Sequence, residues 1–231
     1  MTLSTINQLE VLKGKPSFWF STLDVDEIIV GVNSKADRWT DVVYDTGDFA
    51  TMYTRLPHDK LKEAIIGLYD HAVQWLCSQY SLDVCYLDIR SGTWNTGALP
   101  CNNGRAALIN LLDAVIDNTY FYTVHGIHRQ VIGIPMGGAA SSLLATLYCS
   151  WRELLHISAF HCSLNMFRYI DDVIAARMAL DPPSLQQIDY GIEFGSTETG
   201  MCKAAFVGIT IGNSSPPSTC AYDRRLDLSV T

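Results

Sequence analysis

The sequence predicts an α+β fold in which an antiparallel sheet is covered by helices on one face. Three observations carry this expectation. Apolar runs of strand length and stripes of helical period mix along the chain without the regular βα alternation that builds a parallel sheet. Two apolar runs flank the adjacent acids Asp171-Asp172, as the arms of a hairpin would. Apolar residues make up 48% of 231, enough for one sizeable core.

Val42 to Phe49 reads as a strand ending in Asp48, and Pro57 sits where a helix can begin, its fixed φ suited to the first turn. A helix over His58 to Tyr80 follows. Leu61, Ile65, Leu68, Ala72 and Leu76 recur every three or four residues as a buried stripe, which turns Lys60, Lys62 and Glu63 towards solvent. Asn103 to Asp117 repeats the pattern through Leu108, Leu111, Leu112 and Val115. Tyr120 to Val124 and Arg129 to Ile132 flank His125-Gly126 as a β-hairpin. Ala139 to Ile157 is a third helix, and the small residues at its start let a backbone or ligand come close. Asn165 to Arg177 reads as strand, Asp171-Asp172 turn, strand, and Ala205 to Ile211 as one further strand. Asp181 to Ser184 and Asn213 to Thr219 are rich in Pro and Ser and read as linkers.

A net charge of −8 and a pI of about 5.1 argue against nucleic-acid binding by this chain alone. The seven cysteines form no CxxC pair and read as reduced thiols of an intracellular protein. Met1 to Lys15 offers no uninterrupted apolar segment for secretion. Val131 to Trp151 runs 21 residues without a charge, but Pro135 and the glycines and serines around it argue against a membrane span.

The chemistry concentrates in three places. Asp171 and Asp172, bracketed by apolar strands, repel each other unless cations neutralise them, so a tight acidic turn there suits a hard metal ion. An Asp pair also serves turns simply by capping backbone groups. Asp48, at a strand end, can close a metal site with that pair or merely cap the next helix. Gly133-Ile134-Pro135-Met136-Gly137-Gly138 has so little side-chain bulk that a base pair or triphosphate could press on its backbone; it also suits a plain hairpin-to-helix turn.

Taken in order, Gly47-Asp48-Phe49-Ala50-Thr51-Met52-Tyr53-Thr54 resembles motif A of reverse transcriptases, Arg129-Gln130 through Gly137 resembles motif B, and Phe167 to Val173 resembles the Tyr-x-Asp-Asp motif C. Tyr53 to Leu61, Ile134-Pro135-Met136-Gly137 and Arg168-Tyr169-Ile170-Asp171-Asp172 are similar to the Penelope-like and telomerase-related branch of retroelement polymerases. Asp117 to Phe121 and Tyr222-Asp223-Arg224-Arg225 share that similarity. The resemblance implies a ferredoxin-like polymerase palm in a single domain: 1–40 partial fingers, 41–212 palm, 213–231 a C-terminal extension. It implies an RNA-directed DNA polymerase with Asp48, Asp171 and Asp172 as catalytic acids. Two Mg²⁺ ions, replaceable by Mn²⁺, would be held by Asp48, Asp171 and Asp172 with the Phe49 carbonyl. Tyr53 corresponds to the steric gate against a ribose 2′-hydroxyl. Gln130, Pro135, Met136 and Gly137 would border nucleotide and template, and Lys203 would serve the leaving pyrophosphate. An RNA template, a DNA primer and dNTPs are the implied partners. The chain departs from the family where Gly138-Ala139-Ala140-Ser141-Ser142 replaces a polar segment, and where only Lys13, Lys15, Lys35 and Arg38 precede Asp48 to cradle a triphosphate. Fingers and thumb are therefore expected from a longer parent protein. The alternative is a domesticated palm that serves as an RNA- or protein-binding scaffold.

Overall fold

The computed structural model describes residues 18–22, 42–88, 91–97, 104–160, 165–181, 185–212 and 218–221. Apart from 18–22, the expected partial fingers lie outside these residues. So do 213–217 of the expected linker and the Tyr222-Asp223-Arg224-Arg225 segment. The chain divides into two compact units, one containing Thr51–Leu155 and the other joining the described residues up to Ala50 with those from His156 onward. Helices and mainly antiparallel strands together make an α+β fold.

The second unit is built on a five-stranded sheet of order β1-β7-β8-β2-β9, comprising β1 (Phe18–Thr22), β2 (Val42–Asp48), β7 (Asn165–Tyr169), β8 (Asp172–Met178) and β9 (Gly195–Met201). β1 lies parallel to β7, and every other pair is antiparallel. A three-stranded sheet of β10 (Lys203–Phe206), β11 (Ile209–Gly212) and β12 (Ser218–Ala221) accompanies it. Strand side chains alternate between faces, so Val42 and Tyr44 on β2, Phe167 on β7, and Ile174 and Ala176 on β8 share one face. They pack with Phe206, Ile209 and Ile211 into one buried core. The opposite face carries Asp45, whose carboxylate takes two hydrogen bonds from Arg177, Nε at 2.6 Å and Nη2 at 3.1 Å, and a third from the Gly200 N–H at 2.8 Å.

Two turns of this unit differ from the sequence expectation. The single strand expected over Ala205 to Ile211 is a hairpin, β10–β11, whose turn residues Val207 and Gly208 have φ of +48° and +80°. Such turns favour Asn-Gly, and an apolar Val in the first position concealed this one. The acidic hairpin turns at Ile170-Asp171, one residue earlier than expected, so that Asp172 starts β8 opposite Tyr169.

In the first unit, β3 (Cys85–Asp88) pairs with β4 (Thr93–Thr96), and β5 (Tyr120–Thr123) with β6 (Gly126–Arg129). Its helices are α1 (Met52–Arg55), α2 (His58–Tyr80), α3 (Arg105–Asp117) and α4 (Ser141–Phe160), the last turn of which enters the other unit. The expected α2 stripe buries Leu61, Ile65, Leu68 and Ala72. Pro57 stands one place outside the first turn, at the helix cap, and Ser81 closes the far end in the left-handed conformation with its N–H bonded to the Cys77 carbonyl. Lys62 corrects its expected outward placement: it bridges α2 to α3 through Asp113 and Asp117, both at 2.7 Å. The β5–β6 hairpin turns at Val124-His125, earlier than expected, because the Thr123 hydroxyl accepts the His125 N–H and Gly126 opens β6 at φ +120°. Cys77, Cys85, Cys149 and Cys202 are thiols not joined in disulfides. Burial and the neighbouring Cys77 push the Cys85 thiol up to about 11, so it stays protonated at neutral pH. No helix among the described residues is long and apolar enough to cross a membrane.

Candidate active site

Asp48 is the exposed last residue of β2, after four buried positions, Tyr44 to Gly47. Three neighbouring rings hold this strand end. Phe49 is buried with its ring centroid 4.7 Å from those of both Tyr190 and Phe194. Gly47 lets Phe194 lie against the backbone, since a Cβ there would fall 2.3 Å from its ring tip. The sequence reading did not include this cluster, for Tyr190 and Phe194 carry no pattern of their own.

Asp171 sits half-buried in the Ile170-Asp171 turn beside the β2 end. Burial raises its pKa, backbone N–H groups of Asp171 and Asp172 oppose that rise, and the Asp48 charge adds to it. The two carboxylates therefore share one electrostatic neighbourhood. Ile170 has φ +55°, a left-handed conformation that costs a β-branched residue about 1–3 kcal/mol. Arg168, fully buried on β7, reaches over this turn and donates from Nη1 to the Ile170 carbonyl at 3.3 Å. The strain is thus held beside the acid it presents.

A cleft of about 540 Å³ opens on this face, lined by Asp48, Asp172, Thr197, Glu198, Val207 and Gly208 among others. Glu198 and the Val207-Gly208 turn were not singled out from the sequence. Glu198 lies opposite Thr46 on β9, a strand exposed throughout and without an apolar alternation to mark it. Lys203, at the start of β10, lays its stem over Gly212 and is not among the residues lining the cleft. Among the described residues, no three His, Cys, Asp or Glu side chains converge as a ready-formed metal cage. What the strands bring together is Asp48 at the end of β2 and the turn of Asp171, on which the Asp48 charge bears, with Asp172 next in the chain.

The other unit contains the remaining sequence-predicted residues. Tyr53 is half-buried on α1, and the glycine-rich loop docks on its backbone: Ile134 N–H to the Tyr53 carbonyl at 2.7 Å, Gly133 N–H to the Leu56 carbonyl at 2.8 Å. His58 Nε2 lies 2.6 Å from the Gly133 carbonyl. Gln130 is bonded through Nε2 to the Ile132 carbonyl at 3.1 Å. Pro135, Met136 and Gly137 are exposed, and Gly137, at φ +82°, has open space where a side chain would be. Gly133 is sterically confined: at φ +76° its Cβ would lie 2.4 Å from the Tyr53 carbonyl oxygen. Gly133→Ala is expected to destabilise the chain by about 2–4 kcal/mol, from strain and the lost Tyr53 and Leu56 contacts. Urea unfolding measures this, and a loss below about 0.5 kcal/mol would show that the loop is not clamped as described.

No family model matches the sequence, and no curated protein does. Solved structures do. Telomerase from Candida albicans in complex with a fragment of telomeric RNA superposes with a TM-score of 0.58 at 12% identity, over 95% of this chain and 38% of that one. Apo telomerase from Candida tropicalis, truncated from its C-terminal domain, gives 0.55 at 16% identity over 94% and 43%. Telomerase from Candida tropicalis with a telomeric RNA fragment gives 0.53 at 17% identity over 95% and 37%. The chain spans about two-fifths of the length of these structures. At such identities the likeness is one of fold, and the fold this chain shares with part of these telomerases is the α+β, palm-like one.

Proposed function

We propose that the chain is the catalytic palm of an RNA-directed DNA polymerase from a retroelement of the Penelope-like and telomerase-related branch, adding dNTPs to the 3′-hydroxyl of a DNA primer on an RNA template. The observation that carries this reading is the strand register: Gly47 pairs with Val173, so Asp48 ends β2 beside the strained turn that presents Asp171 and Asp172. Asp48, Asp171 and Asp172, with the Phe49 carbonyl, are the groups that would hold two Mg²⁺ ions. Bound there, such ions would supply a lowered barrier for deprotonating the 3′-hydroxyl and neutralisation of the charge on the leaving pyrophosphate. The chain's own contribution is placement. The Phe49-Tyr190-Phe194 rings hold the Asp48 backbone, and Arg168 holds the Ile170 carbonyl, so both acids are fixed before substrate arrives. Tyr53, with its backbone carbonyl held by the Ile134 N–H, is the ring assigned to exclude a 2′-hydroxyl, and Gln130 with the Pro135-Met136-Gly137 loop is assigned to nucleotide and template. Lys203 remains the candidate proton donor to pyrophosphate.

Primer extension on an RNA template tests the reading, with deoxynucleotides and ribonucleotides compared in Mg²⁺, Mn²⁺ and EDTA. Metal-dependent incorporation of deoxynucleotides, with ribonucleotides admitted by Tyr53→Val, is the expected result. A folded chain that extends no primer in either metal, alone or joined to fingers and thumb segments, would leave the scaffold reading in its place.

A further inference from the structure

The segment Tyr53 to His58 holds the glycine-rich loop by its backbone, and the sequence of that segment explains why. In a continuous helix the Tyr53 carbonyl would accept the N–H of the residue four places on. That residue is Pro57, which has no N–H to give. Leu56, with ψ of 113°, has already left α1, and the α2 ladder begins at the Pro57 carbonyl, which accepts the Leu61 N–H. The break between the helices thus leaves the Tyr53 and Leu56 carbonyls outside both ladders, and Ile134 and Gly133 donate to them at 2.7 and 2.8 Å. His58, the first residue of α2, adds a third bond: its Nε2 lies 2.6 Å from the Gly133 carbonyl, 75 residues away. A carbonyl only accepts, so Nε2 is the nitrogen that carries the proton. Gly133 is therefore bonded at both its N–H and its carbonyl, and its Cα lies so close to the Tyr53 carbonyl that no Cβ fits.

The Ile134 and Gly133 bonds are made by backbone groups, whereas the His58 bond is made by a side chain, so it is the member of the set that one substitution removes. What the clamp joins is specific. On one side is Tyr53, the ring assigned to the ribose 2′-hydroxyl, and on the other the exposed Pro135-Met136-Gly137 loop assigned to the nucleotide. A ring excludes a single oxygen atom only where the opposite wall cannot retreat, and a functional site tolerates about 0.5 Å of play before its fit is lost. We infer that His58 is a positioning residue for sugar selection, fixing the loop backbone against that of Tyr53 so that the nucleotide slot does not widen to admit a 2′-hydroxyl. This rests on the polymerase reading and adds to it a residue that touches neither nucleotide nor metal. A bond that served folding alone would, when lost, lower activity towards both sugars alike.

The test is single-nucleotide primer extension on an RNA template, reading kcat/KM for a dNTP and for the matching rNTP. The ratio of the two cancels the fraction of chain that is folded. His58→Phe keeps a ring and loses the donor, and its preference for the dNTP is expected to fall about three- to tenfold, the worth of one neutral hydrogen bond. His58→Gln, whose side-chain amide can donate to the same carbonyl, is expected to keep wild-type discrimination. Hydrogen exchange at the Ile134 and Gly133 amides needs no activity and reports the clamp itself: it should quicken in His58→Phe and stay slow in His58→Gln. The inference is overturned if His58→Phe discriminates as the wild type does, if His58→Gln loses discrimination as fully as His58→Phe, or if exchange is the same in all three proteins. A wild type that extends with dNTPs but shows no His58 effect sinks this inference alone. A wild type that extends no primer, alone or joined to fingers and thumb segments, sinks the polymerase reading and the inference with it.

Discussion

Asp171→Asn is expected to reduce primer extension on the order of a thousandfold or more while making the metal-free chain more stable at neutral pH. The first effect follows from removing a charge that would hold the metals, whose stabilisation of the transition state is worth several kcal/mol. The second follows from the direction of the Asp171 shift. Its pKa is raised above the ordinary 3.8, by burial first and by the Asp48 charge in addition. Such a group is protonated more readily folded than unfolded. The folded state is therefore favoured at low pH, and this advantage is lost as pH rises from the unfolded pKa through the raised folded value. At pH 7 wild-type Asp171 is a cost, which Asn removes. Thermal melts in EDTA should place the variant above wild type at pH 7, with the gap closing as pH falls towards 3.8. Mg²⁺ should raise the wild-type melting point and leave the variant nearly unmoved. Equal extension by the two proteins would remove Asp171 from the chemistry, and a variant less stable than wild type at pH 7 would contradict the electrostatic account.

Asp45→Ala is expected to cost about 3–5 kcal/mol, a large part of what a domain of this size has in reserve. Asp45 is 1% exposed and its partner Arg177 10%, joined in a two-pronged pair, and the same carboxylate takes the Gly200 N–H. It thereby joins β2, β8 and β9 at one point. Losing it leaves a guanidinium buried without its counter-charge and a backbone donor without its acceptor. Arg177→Met in the Asp45→Ala background should recover much of the loss, because an apolar chain of similar length tolerates that site better than an unpaired charge. Urea unfolding of the single and double variants decides it. A cost below 1 kcal/mol for Asp45→Ala would place the pair with exposed salt bridges, which contribute little.

The α2 helix could be read from the sequence almost to the residue, because its apolar stripe and Pro57 are local signals that act over a few turns. β2 and its final Asp48 were equally legible, as an apolar run with a polar end. The acidic hairpin was legible as a hairpin, but its turn was not, since nothing in Tyr169-Ile170-Asp171-Asp172 says that a β-branched residue takes the left-handed position. That choice is enforced from outside the turn, by the Tyr169–Asp172 pairing and the Arg168 hydrogen bond. Val207 escaped notice for the same reason: its local preference is for a strand, and the β10–β11 pairing overrides it.

Composition and pattern alone therefore specified an α+β chain, the order of its acids, and Asp48 and the Asp171-Asp172 pair as the chemistry to look for. Folding decided the long-range contacts: Phe49 with Tyr190 and Phe194, Glu198 in the cleft with Asp48 and Asp172, Lys62 with Asp113 of α3, Asp45 with Gly200 across 155 residues. Helical periods and turn chemistry are written within a few neighbouring residues. Strand partners are chosen by burial and hydrogen bonding between distant segments, and no local stretch of sequence encodes its distant partner.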